Sequence, residues 1–302
     1  MANIITYGQC PVCMSNHISH ALEAKDHTVS KEVFAIWHCY NCSSRFTQQV
    51  PDAAGIGHYY QSDAYVSHSD TKQGMVNRLY HTVRNYTLKA KRRLVEKESK
   101  QKKAILLDVG AGTGAFANEM HEAGWKVIGL EPDRTAKENA IKNYNLQLGD
   151  LNAIFSFKTQ TFDVITMWHV LEHVHQLHEY IDAFQNILKK DGTLIIAVPN
   201  YTSYDAKKYD KYWAAYDVPR HLYHFSPKGL KALVQQHGFS VAAHKPMWFD
   251  SFYVSMLSEQ YETGKSNLFS ACWTGLRSNL RALSHVKRCS SVIYIVKKQG
   301  EK

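Results

Sequence analysis

The stretch "AILLDVGAGTGAFANEMHEAG", residues 104–124, joins an apolar run, an acidic residue and three alternating glycines to an amphipathic helical pattern. The apolar run predicts a buried parallel strand, and the glycines predict a tight turn where side chains would block close approach. The N-terminus of the following helix would face whatever binds at that turn. A nucleoside ligand is therefore expected here, although a glycine turn alone is also compatible with a dinucleotide.

The chain continues through four segments, which are "WKVIGLEPD" (125–133), "LQLGD" (146–150), "FDVITMWHV" (162–170) and "GTLIIAVPN" (192–200). The first predicts a strand that ends in Glu131, roughly 20 residues beyond the glycines, where a carboxylate can accept both hydroxyls of a ribose. The second predicts a short strand that ends in Asp150. A helix follows the third and runs to about residue 189. This alternation predicts a doubly wound α/β sheet with its ligand at the carboxyl edge.

These segments, in this order and at these intervals, resemble the class I S-adenosylmethionine-dependent methyltransferases. The stretch "WAAYDVPRHLYHFSPKGLKALVQQHGF" (213–239) more closely resembles a bacterial branch with a PRHLYHFS segment after the fifth strand, whose substrates are small molecules or unassigned. The resemblance covers residues 104 to about 246. It implies a seven-stranded Rossmann-like sheet, in which strands at 239–249 and 290–298 form an antiparallel edge.

The resemblance also implies a site for S-adenosylmethionine. The turn around its methionine part would be formed by Asp108, Gly110, Gly112 and Gly114. Glu131 would hold the ribose hydroxyls, and Asp150 would bind the adenine amino group with Leu151 beside the ring. His169 would lie near the sulfonium. For Asp150, a turn residue that precedes a helix is the alternative interpretation.

Methyl transfer requires a nucleophile aligned with the sulfonium methyl, and a hydroxyl acceptor also requires a base. Histidine titrates near neutral pH and can take that proton. The candidate bases are His169, His173, His221 and His224. Because the chain has 17 histidines, an ordinary core or surface role is the alternative for each of them.

The same region contains an HxxEH pattern, formed by His169, Glu172 and His173. On a helix the two histidines would share a face and could hold a metal, as in zinc peptidases of the inverted type. A peptidase would leave the glycine turn and Glu131 without a role. The methyltransferase resemblance instead places this stretch at the edge of the cofactor site, where it needs no metal.

Two segments are candidates for acceptor recognition. In "PRHLYHF" (219–225), Arg220 could make a bidentate contact with a carboxylate or phosphate and Tyr223 could line the pocket, while a structural ion pair is the alternative for Arg220. The segment "GHYYQSDAYVSH" (57–68) lies where such enzymes often place a lid, or else packs on the sheet. Its candidate residues are Tyr59, Tyr60, Tyr65 and His68.

Two CxxC pairs lie near the N-terminus, "CPVC" with Cys10 and Cys13, and "CYNC" with Cys39 and Cys42. Two such knuckles complete a closed shell of four sulfurs, which is typical of structural Zn²⁺. The alternating "KEVFAIWHCYNC" predicts a strand that runs into the second pair, as in a zinc ribbon. Redox-active disulfides are the alternative, but two copies at this spacing favour zinc, which would supply much of the module's folding free energy.

With 302 residues and 44% hydrophobic content, the chain can form one large domain and a small module. We expect a zinc-ribbon-like module at 1–50, a linker and helical lid at 51–103, and a methyltransferase domain at 104–302 with an insertion at about 247–290. The insertion could cover an acceptor pocket, contact an anionic lipid surface or pack against the sheet, and packing is favoured.

The net charge is +9, and eight basic residues fall between Lys89 and Lys103. Such a run can attract phosphate backbones or anionic lipid, but a solvated helix and linker is the favoured interpretation. The N-terminus has no secretory pattern, and no apolar run is long enough to span a bilayer. These features predict a cytoplasmic protein without transmembrane segments, while they leave its oligomeric state open.

The leading hypothesis is methylation of a small-molecule acceptor, such as a sugar, a lipid-linked intermediate or a secondary metabolite, at oxygen or else at nitrogen or carbon. An RNA or protein methyltransferase that docks through the ribbon and the basic run is the first alternative. An inactive interaction protein is the second, and the intact glycine turn argues against it. The fourth strand is followed by "MWHV" and not by an NPPY-like tetrapeptide, which disfavours methylation of nucleobase or amide nitrogens.

Overall fold

The computed structural model describes residues 3–61, 75–265 and 267–300, and for residues 75–82 it describes the backbone alone. Tyr65 and His68, two of the candidate lid residues, lie outside the described residues. Tyr59 and Tyr60 close a short 3-10 helix, Ile56–Tyr60, which follows the N-terminal module.

Five short strands occupy the N-terminal module, and they are β1 (Ile4–Ile5), β2 (Ile18–Lys25), β3 (Val33–Cys39), β4 (Arg45–Thr47) and β5 (Val50–Pro51). Strand β3 pairs antiparallel with β2 and β4, and β1 pairs with β5. The predicted strand into the second CxxC pair is confirmed, because β3 ends at Cys39. Its alternating burial shows one face against the protein and one toward solvent.

The central sheet is built from β6 (Ile105–Val109), β7 (Lys126–Leu130), β8 (Phe162–Trp168), β9 (Leu188–Pro199), β11 (Phe239–Pro246) and β12 (Ser291–Lys298). Its order is β11-β12-β9-β8-β6-β7. The pairs β6–β7, β6–β8 and β8–β9 are parallel, whereas β12 runs antiparallel to both neighbours. The doubly wound α/β fold and its antiparallel edge are confirmed.

The predicted third strand near "LQLGD" is reduced to a single parallel bridge between Leu130 and Gly149. Among the described residues the sheet therefore has six strands and this bridge at its edge, against the seven strands expected. Gly149 still brings the start of the following segment, at Asp150, to the carboxyl end of β7.

Eight helices are described, and they are α1 (Met75–Ser99), α2 (Ala115–Glu122), α3 (Arg134–Tyr144), α4 (Leu177–Ile187), α5 (Tyr204–Tyr209), α6 (Pro227–Gln236), α7 (Asp250–Thr263) and α8 (Leu268–Ser284). Side-chain caps determine where several of these helices begin. Asp133 accepts a hydrogen bond from the Ala136 amide at the start of α3, and Ser226 caps α6 ahead of Pro227.

Helices cover both faces of the sheet. Successive side chains of a strand point to opposite faces, so Leu106 and Leu107 of β6 belong to different cores. Leu106 packs with Phe116 of α2 and Val95 of α1, while Leu107 packs in the larger core that includes α4 and α6. The two layers leave the carboxyl edge of the parallel strands as the place for a ligand.

The N-terminal module is joined to the larger domain by a strand. Residues Tyr223–His224 form β10, which pairs antiparallel with β4 and so adds a fourth strand to the sheet β10-β4-β3-β2. The Thr47 amide also donates to the Leu222 carbonyl at 2.9 Å. The "PRHLYHF" segment is therefore held by the cysteine-bearing module, a connection that the sequence analysis did not predict.

The insertion between β11 and β12 forms the helix pair α7 and α8. The two helices pack on each other, on α5 and on the 3-10 turn Ala214–Tyr216, through small side chains such as Ser255, Gly275 and Ser278. Packing against the sheet, which the sequence analysis favoured, is not their main contact. No helix within the residues that the structure describes is both long enough and apolar enough to cross a bilayer.

Candidate functional site

The glycine turn after β6 has a left-handed backbone at Gly110, Gly112 and Gly114, with φ of 70°, 55° and 77°. A Cβ at Gly110 would lie 2.3 Å from Val170 Cγ2, and one at Gly114 would lie 3.0 Å from Ala140 Cβ. A Cβ at Gly112 would meet nothing within 4 Å. Gly110 and Gly114 are thus required by packing of the fold, whereas Gly112 borders open space where a ligand can approach the backbone.

Glu131 lies at the end of β7, beside this turn. Its Oε2 accepts a hydrogen bond from the Gly112 amide at 2.7 Å, and its Oε1 accepts one from the Asp133 amide at 3.0 Å. Burial raises the pKa of Glu131, and these two amides oppose that rise. The carboxylate is therefore fixed in orientation, and each oxygen keeps a second lone pair for a ligand hydroxyl.

Asp108, at the end of β6, is buried beneath the turn. Thr166 Oγ1 donates to its Oδ1 at 2.7 Å. Burial raises the pKa of Asp108 to about 7, while the Thr166 hydrogen bond and the Lys91 charge act in the opposite direction. The aspartate is thus poised between its charged and neutral forms near neutral pH.

Lys91 of α1 is a site residue that the sequence analysis missed, because it was counted in a solvated basic run. Its ammonium lies 4.4 Å from the centroid of the Trp168 ring, and the charges of Asp108 and Asp250 partly offset the effect of burial, which lowers its pKa. Val95, one helical turn along, is fully buried. An apolar residue four positions from Lys91 is the sequence signal for this inward-facing side of α1.

Asp150 and Leu151 follow the bridge at Gly149. Asp150 is exposed and pairs with the Lys137 ammonium, and Leu151 is partly buried at the start of the 3-10 helix Leu151–Phe155. Asp150 makes no side-chain cap on that helix. Its carboxylate therefore remains on the open side of the sheet edge, beside the strand that ends in Glu131.

His169 closes β8 with a left-handed backbone, φ 58°. Its Nε2 lies 2.8 Å from Asp250 Oδ2, and its Nδ1 lies 3.4 Å from Glu172 Oε1. Burial disfavours the charge, but these two carboxylates outweigh it and raise the pKa of His169 to about 10. At neutral pH His169 is therefore a cation and has no free lone pair with which to accept a proton.

A second group of titratable side chains brings together Glu172, His173 and His221, whose ligand atoms lie within 4.8 Å of one another. The rings of His173 and His221 meet edge to face with centroids 4.5 Å apart. Glu172 is fully buried, and apart from the His169 ring, whose Nδ1 lies 3.4 Å from Oε1, its carboxylate has no close polar partner among the described residues. We call these three residues the histidine cluster.

The ring orientation in the histidine cluster is set by backbone carbonyls. His173 Nδ1 lies 3.1 Å from the Arg220 carbonyl, and His221 Nδ1 lies 2.8 Å from the Ala215 carbonyl. A carbonyl can only accept, so both rings carry a proton on Nδ1 and present Nε2 as an acceptor. Burial lowers the pKa of His173 to about 4, which keeps it neutral near pH 7. Tyr60 Oη also contacts His173 Nδ1, at 3.0 Å.

The histidine cluster differs from the HxxEH geometry of a peptidase. Residues Leu171–His173 form a single 3-10 turn, so His169 and His173 do not share a face of an α-helix. The third member of the cluster comes instead from the "PRHLYHF" segment. Two imidazoles and a carboxylate can accept a proton, and the same donor set can hold a metal ion.

Arg220 is 1% exposed, and its guanidinium bridges two carboxylates. Nη2 lies 3.0 Å from Asp26 Oδ1 and 2.6 Å from Asp217 Oδ1, and Nη1 donates to the Tyr59 carbonyl at 2.7 Å. These contacts favour the alternative of a structural ion pair over acceptor binding. They also tie the N-terminal module to the turn that carries His221.

The side chains of three other candidate base or acceptor-binding residues make hydrogen bonds within the protein. His224 is buried with its Nε2 3.0 Å from Thr47 Oγ1, and burial lowers its pKa well below the ordinary range. Tyr223 is buried, and its hydroxyl donates to the His175 carbonyl at 3.4 Å. The Tyr59 hydroxyl donates to Glu32. Of the predicted acceptor residues that the structure describes, Tyr60 is the one that reaches the histidine cluster.

The four paired cysteines converge as predicted. Cys10 Sγ lies 3.7 Å from Cys42 Sγ, Cys13 Sγ lies 3.6 Å from Cys39 Sγ, and all four sulfurs lie within 4.8 Å of one another. Sulfurs about 2.3 Å from a tetrahedral zinc lie about 3.8 Å apart. The donor set and its spacing therefore fit a closed Zn²⁺ site.

Comparison with known proteins supports the fold and gives the family. A family model described as "Methyltransferase domain" matches residues 80–244, which is more than half of the chain. A solved structure of a protein proposed to be a sarcosine dimethylglycine methyltransferase, from Galdieria sulphuraria, superposes with a TM-score of 0.50 at 13% identity. It covers 74% of this chain and 88% of that one. This likeness shows the shared fold.

Among curated proteins, the mitochondrial ubiquinone biosynthesis O-methyltransferase of Bos taurus is 28% identical over 163 residues, 49% of this chain and 44% of that protein. The ubiquinone biosynthesis O-methyltransferase of Glaesserella parasuis is 31% identical over 111 residues, 32% of this chain and 46% of that protein. The chain thus spans less than half the length of these relatives.

Proposed function

The chain belongs to the methyltransferase domain family, and from that premise we propose that it transfers the methyl group of S-adenosylmethionine to a hydroxyl of a small molecule. The observation that carries the proposal is the position of Glu172 and His173 of the histidine cluster, with a neutral acceptor nitrogen, shortly after β8. Strand β8 pairs with β6, which leads into the glycine turn, and β6 pairs in turn with β7, which leads into Glu131. The names of the O-methyltransferase relatives support oxygen as the methylated atom.

The cofactor pocket of the proposal fits the residues present. Gly112 offers backbone that no side chain covers, and Glu131 offers two oriented carboxylate oxygens for ribose hydroxyls. Asp108 would face the methionine part, and Asp150 with Leu151 would border the adenine. When bound, S-adenosylmethionine supplies a methyl group activated by a positively charged sulfonium.

The acceptor would be activated by His173. Its Nε2 is free to take the hydroxyl proton at neutral pH, because its Nδ1 is committed to the Arg220 carbonyl. The buried Glu172 would stabilise the imidazolium that forms, and His221 would share the proton or orient the acceptor. His169, already cationic, would position Glu172 and would not act as the base.

The four cysteines would hold a structural Zn²⁺ with no open position, so the metal would act on folding and not on the reaction. Its contribution to the site would be indirect. Strand β4 pairs with β10 only three residues after Arg220, and Thr47 Oγ1 donates to the His221 carbonyl at 2.7 Å. A zinc-loaded module would therefore fix the segment that carries His221.

The test is a transfer assay with isotopically labelled S-adenosylmethionine and a panel of hydroxyl-bearing sugars, phenols and lipid-linked intermediates. We expect label in one acceptor class. His173→Gln should lower kcat by about 10²–10⁴ without changing cofactor affinity, because it removes the base alone. His121→Gln, at an exposed position on α2, is the matched control.

The outcomes separate this proposal from its alternatives. Label in RNA, with activity that falls steeply as salt rises, would replace a small-molecule acceptor by nucleic acid. Equal rates for His173→Gln and wild type would contradict the assignment of the base. Absence of transfer to every acceptor class by protein that binds the cofactor would contradict the choice of acceptors tested.

A further inference from the structure

Helix α8 has its large apolar side chains on the outside. Their exposed fractions run from 42% at Leu276 to 83% at Phe269. The exposed set, which we call the apolar face, is Leu268, Phe269, Trp273, Leu276, Leu280 and Leu283. The buried side of the same helix consists of Ala271, Thr274, Gly275, Ser278 and Ala282. This is the reverse of the usual arrangement, in which the apolar stripe of a surface helix packs on the core.

The apolar face is one continuous stripe. From Phe269 to Leu283 its members are spaced alternately four and three residues apart, which keeps them on one side of the helix. Single exposed apolar residues are ordinary, but a contiguous patch of this kind marks a surface that meets a partner or a membrane.

The apolar face is not needed to hold α8 against the rest of the protein. A Cβ at Gly275 would lie 2.7 Å from Phe252 Cδ1 and 3.0 Å from Phe252 Cα, so α8 already packs closely on α7 through its small side. The Asn279 side-chain amide, through Nδ2, also donates to the Trp248 carbonyl at 2.8 Å. The apolar face is thus available without unfolding the pair.

The charges along α8 and the turn that follows it have one sign. Residues 268–289 contain no Asp or Glu. The basic residues there are Arg277, Arg281, Lys287 and Arg288, all of them exposed. Arg277 lies over the Trp273 ring at 5.1 Å from its centroid, beside the stripe itself. Any partner must accept both apolar side chains and several cations.

We propose that the apolar face docks onto a membrane surface that carries anionic phospholipid. A second copy of the helix would bring arginines against arginines with no carboxylate to compensate, whereas anionic headgroups satisfy the cations while the acyl region receives the leucines and aromatics. The helix would lie in the interface and would not span it. This docking is independent of the proposed methyl transfer.

Docking would place the candidate site beside the bilayer. Ser251 Oγ donates to Asn279 Oδ1 at 3.0 Å, so the C-terminal half of α8 lies against the start of α7. That start is Asp250, which bonds His169. His169 in turn lies 3.4 Å from Glu172 of the histidine cluster, so α8 is connected to that cluster through the start of α7.

The test is co-sedimentation of the full chain with vesicles of phosphatidylcholine, with and without phosphatidylglycerol. We expect binding to the mixed vesicles that weakens as salt rises. The double variant Phe269→Glu/Leu280→Glu should lose at least about tenfold in partition coefficient, because two charges enter the apolar face. Ile141→Glu, at a 50% exposed position on α3, is the matched control and should bind as wild type does.

A variant that removes two positive charges tests whether the basic residues contribute to binding of anionic phospholipid. Lys287→Gln/Arg288→Gln should lose on the order of tenfold on mixed vesicles and little on pure phosphatidylcholine. Wild-type protein that ignores mixed vesicles, or a double glutamate variant that still binds them, would overturn the proposal. Sedimentation velocity gives the remaining outcome: a wild-type dimer that Phe269→Glu/Leu280→Glu converts to monomer would assign the face to a second copy.

Discussion

The Nε2 atom of His169 lies 2.8 Å from Oδ2 of Asp250, and this contact joins the end of strand β8 to the first residue of helix α7. The pair links the parallel sheet, where the cofactor is expected, to the insertion that carries the apolar face. It also explains why His169, a candidate base on sequence grounds, is held as a cation.

Asp250→Asn should lower the pKa of His169 from about 10 toward its ordinary value of 6.5. The raised pKa stabilises the folded state fully below 6.5, and this contribution is lost as the pH rises through about 10. The stability advantage of wild type over Asp250→Asn should therefore shrink across that window. Histidine NMR titration, with urea denaturation at several pH values, measures both effects, and a pH-independent difference would contradict the pairing.

Substitutions in the glycine turn should separate folding from cofactor binding. Gly110→Ala should destabilise the fold by about 1–3 kcal/mol beyond the strain of its positive φ, because the added Cβ overlaps Val170. Gly112→Ala should cost only that strain, about 1–2 kcal/mol, but should weaken cofactor binding by filling the open position. Thermal denaturation and calorimetric titration distinguish the two. A Gly112→Ala variant with unchanged cofactor affinity would place the ligand elsewhere.

If the four cysteines hold zinc as proposed, Cys42→Ser should remove it and disorder the N-terminal module, whose small core would depend on the metal. Because β4 pairs with β10, amide protons near Arg45 and His224 should lose protection against hydrogen exchange. Elemental analysis and exchange mass spectrometry measure the two effects. Cys272→Ser, at an exposed thiol, is the control and should keep one zinc per chain. Equal zinc content in both variants would contradict the four-cysteine site.

Arg220→Ala should destabilise the protein by about 3–5 kcal/mol, since it leaves the buried Asp26 carboxylate without its partner. The matched control is Arg134→Ala, which breaks the exposed pair with Glu138 and should cost about 0–1 kcal/mol. Chemical denaturation compares them. A small effect of Arg220→Ala on stability together with a large rise in the acceptor KM would restore the acceptor-binding interpretation.

The fold was predictable from local patterns. The apolar runs, the glycines after β6 and the acidic residues at strand ends act over short distances, so the strands and the positions of Asp108 and Glu131 at their carboxyl ends were predictable from them. The number of strands and the antiparallel edge were implied by the family resemblance. The predicted third strand is longer than the pairing observed, because "LQLGD" pairs with β7 through a single bridge between Gly149 and Leu130.

Long-range contacts set the roles that the sequence left open. The partners of Arg220 are 194 residues away at Asp26 and three residues away at Asp217, and no spacing rule indicates the first. The histidine cluster combines an HxxEH pattern with His221 from another segment. Lys91 was assigned to a solvated run because a positive charge does not indicate that this side of α1 faces the protein. Each of these depends on how separate elements pack.

The most direct test of the account is calorimetric titration of the zinc-loaded protein with S-adenosylmethionine and S-adenosylhomocysteine, beside Glu131→Gln and the exposed control Glu138→Gln. We predict micromolar binding of both ligands. Glu131→Gln should weaken it by about 1.5–3 kcal/mol, roughly 10- to 100-fold, because a charged acceptor of two hydroxyl groups is lost. Glu138→Gln should bind as wild type does. Folded, zinc-loaded protein that binds neither ligand would contradict the methyltransferase account and leave an interaction protein built on the same fold.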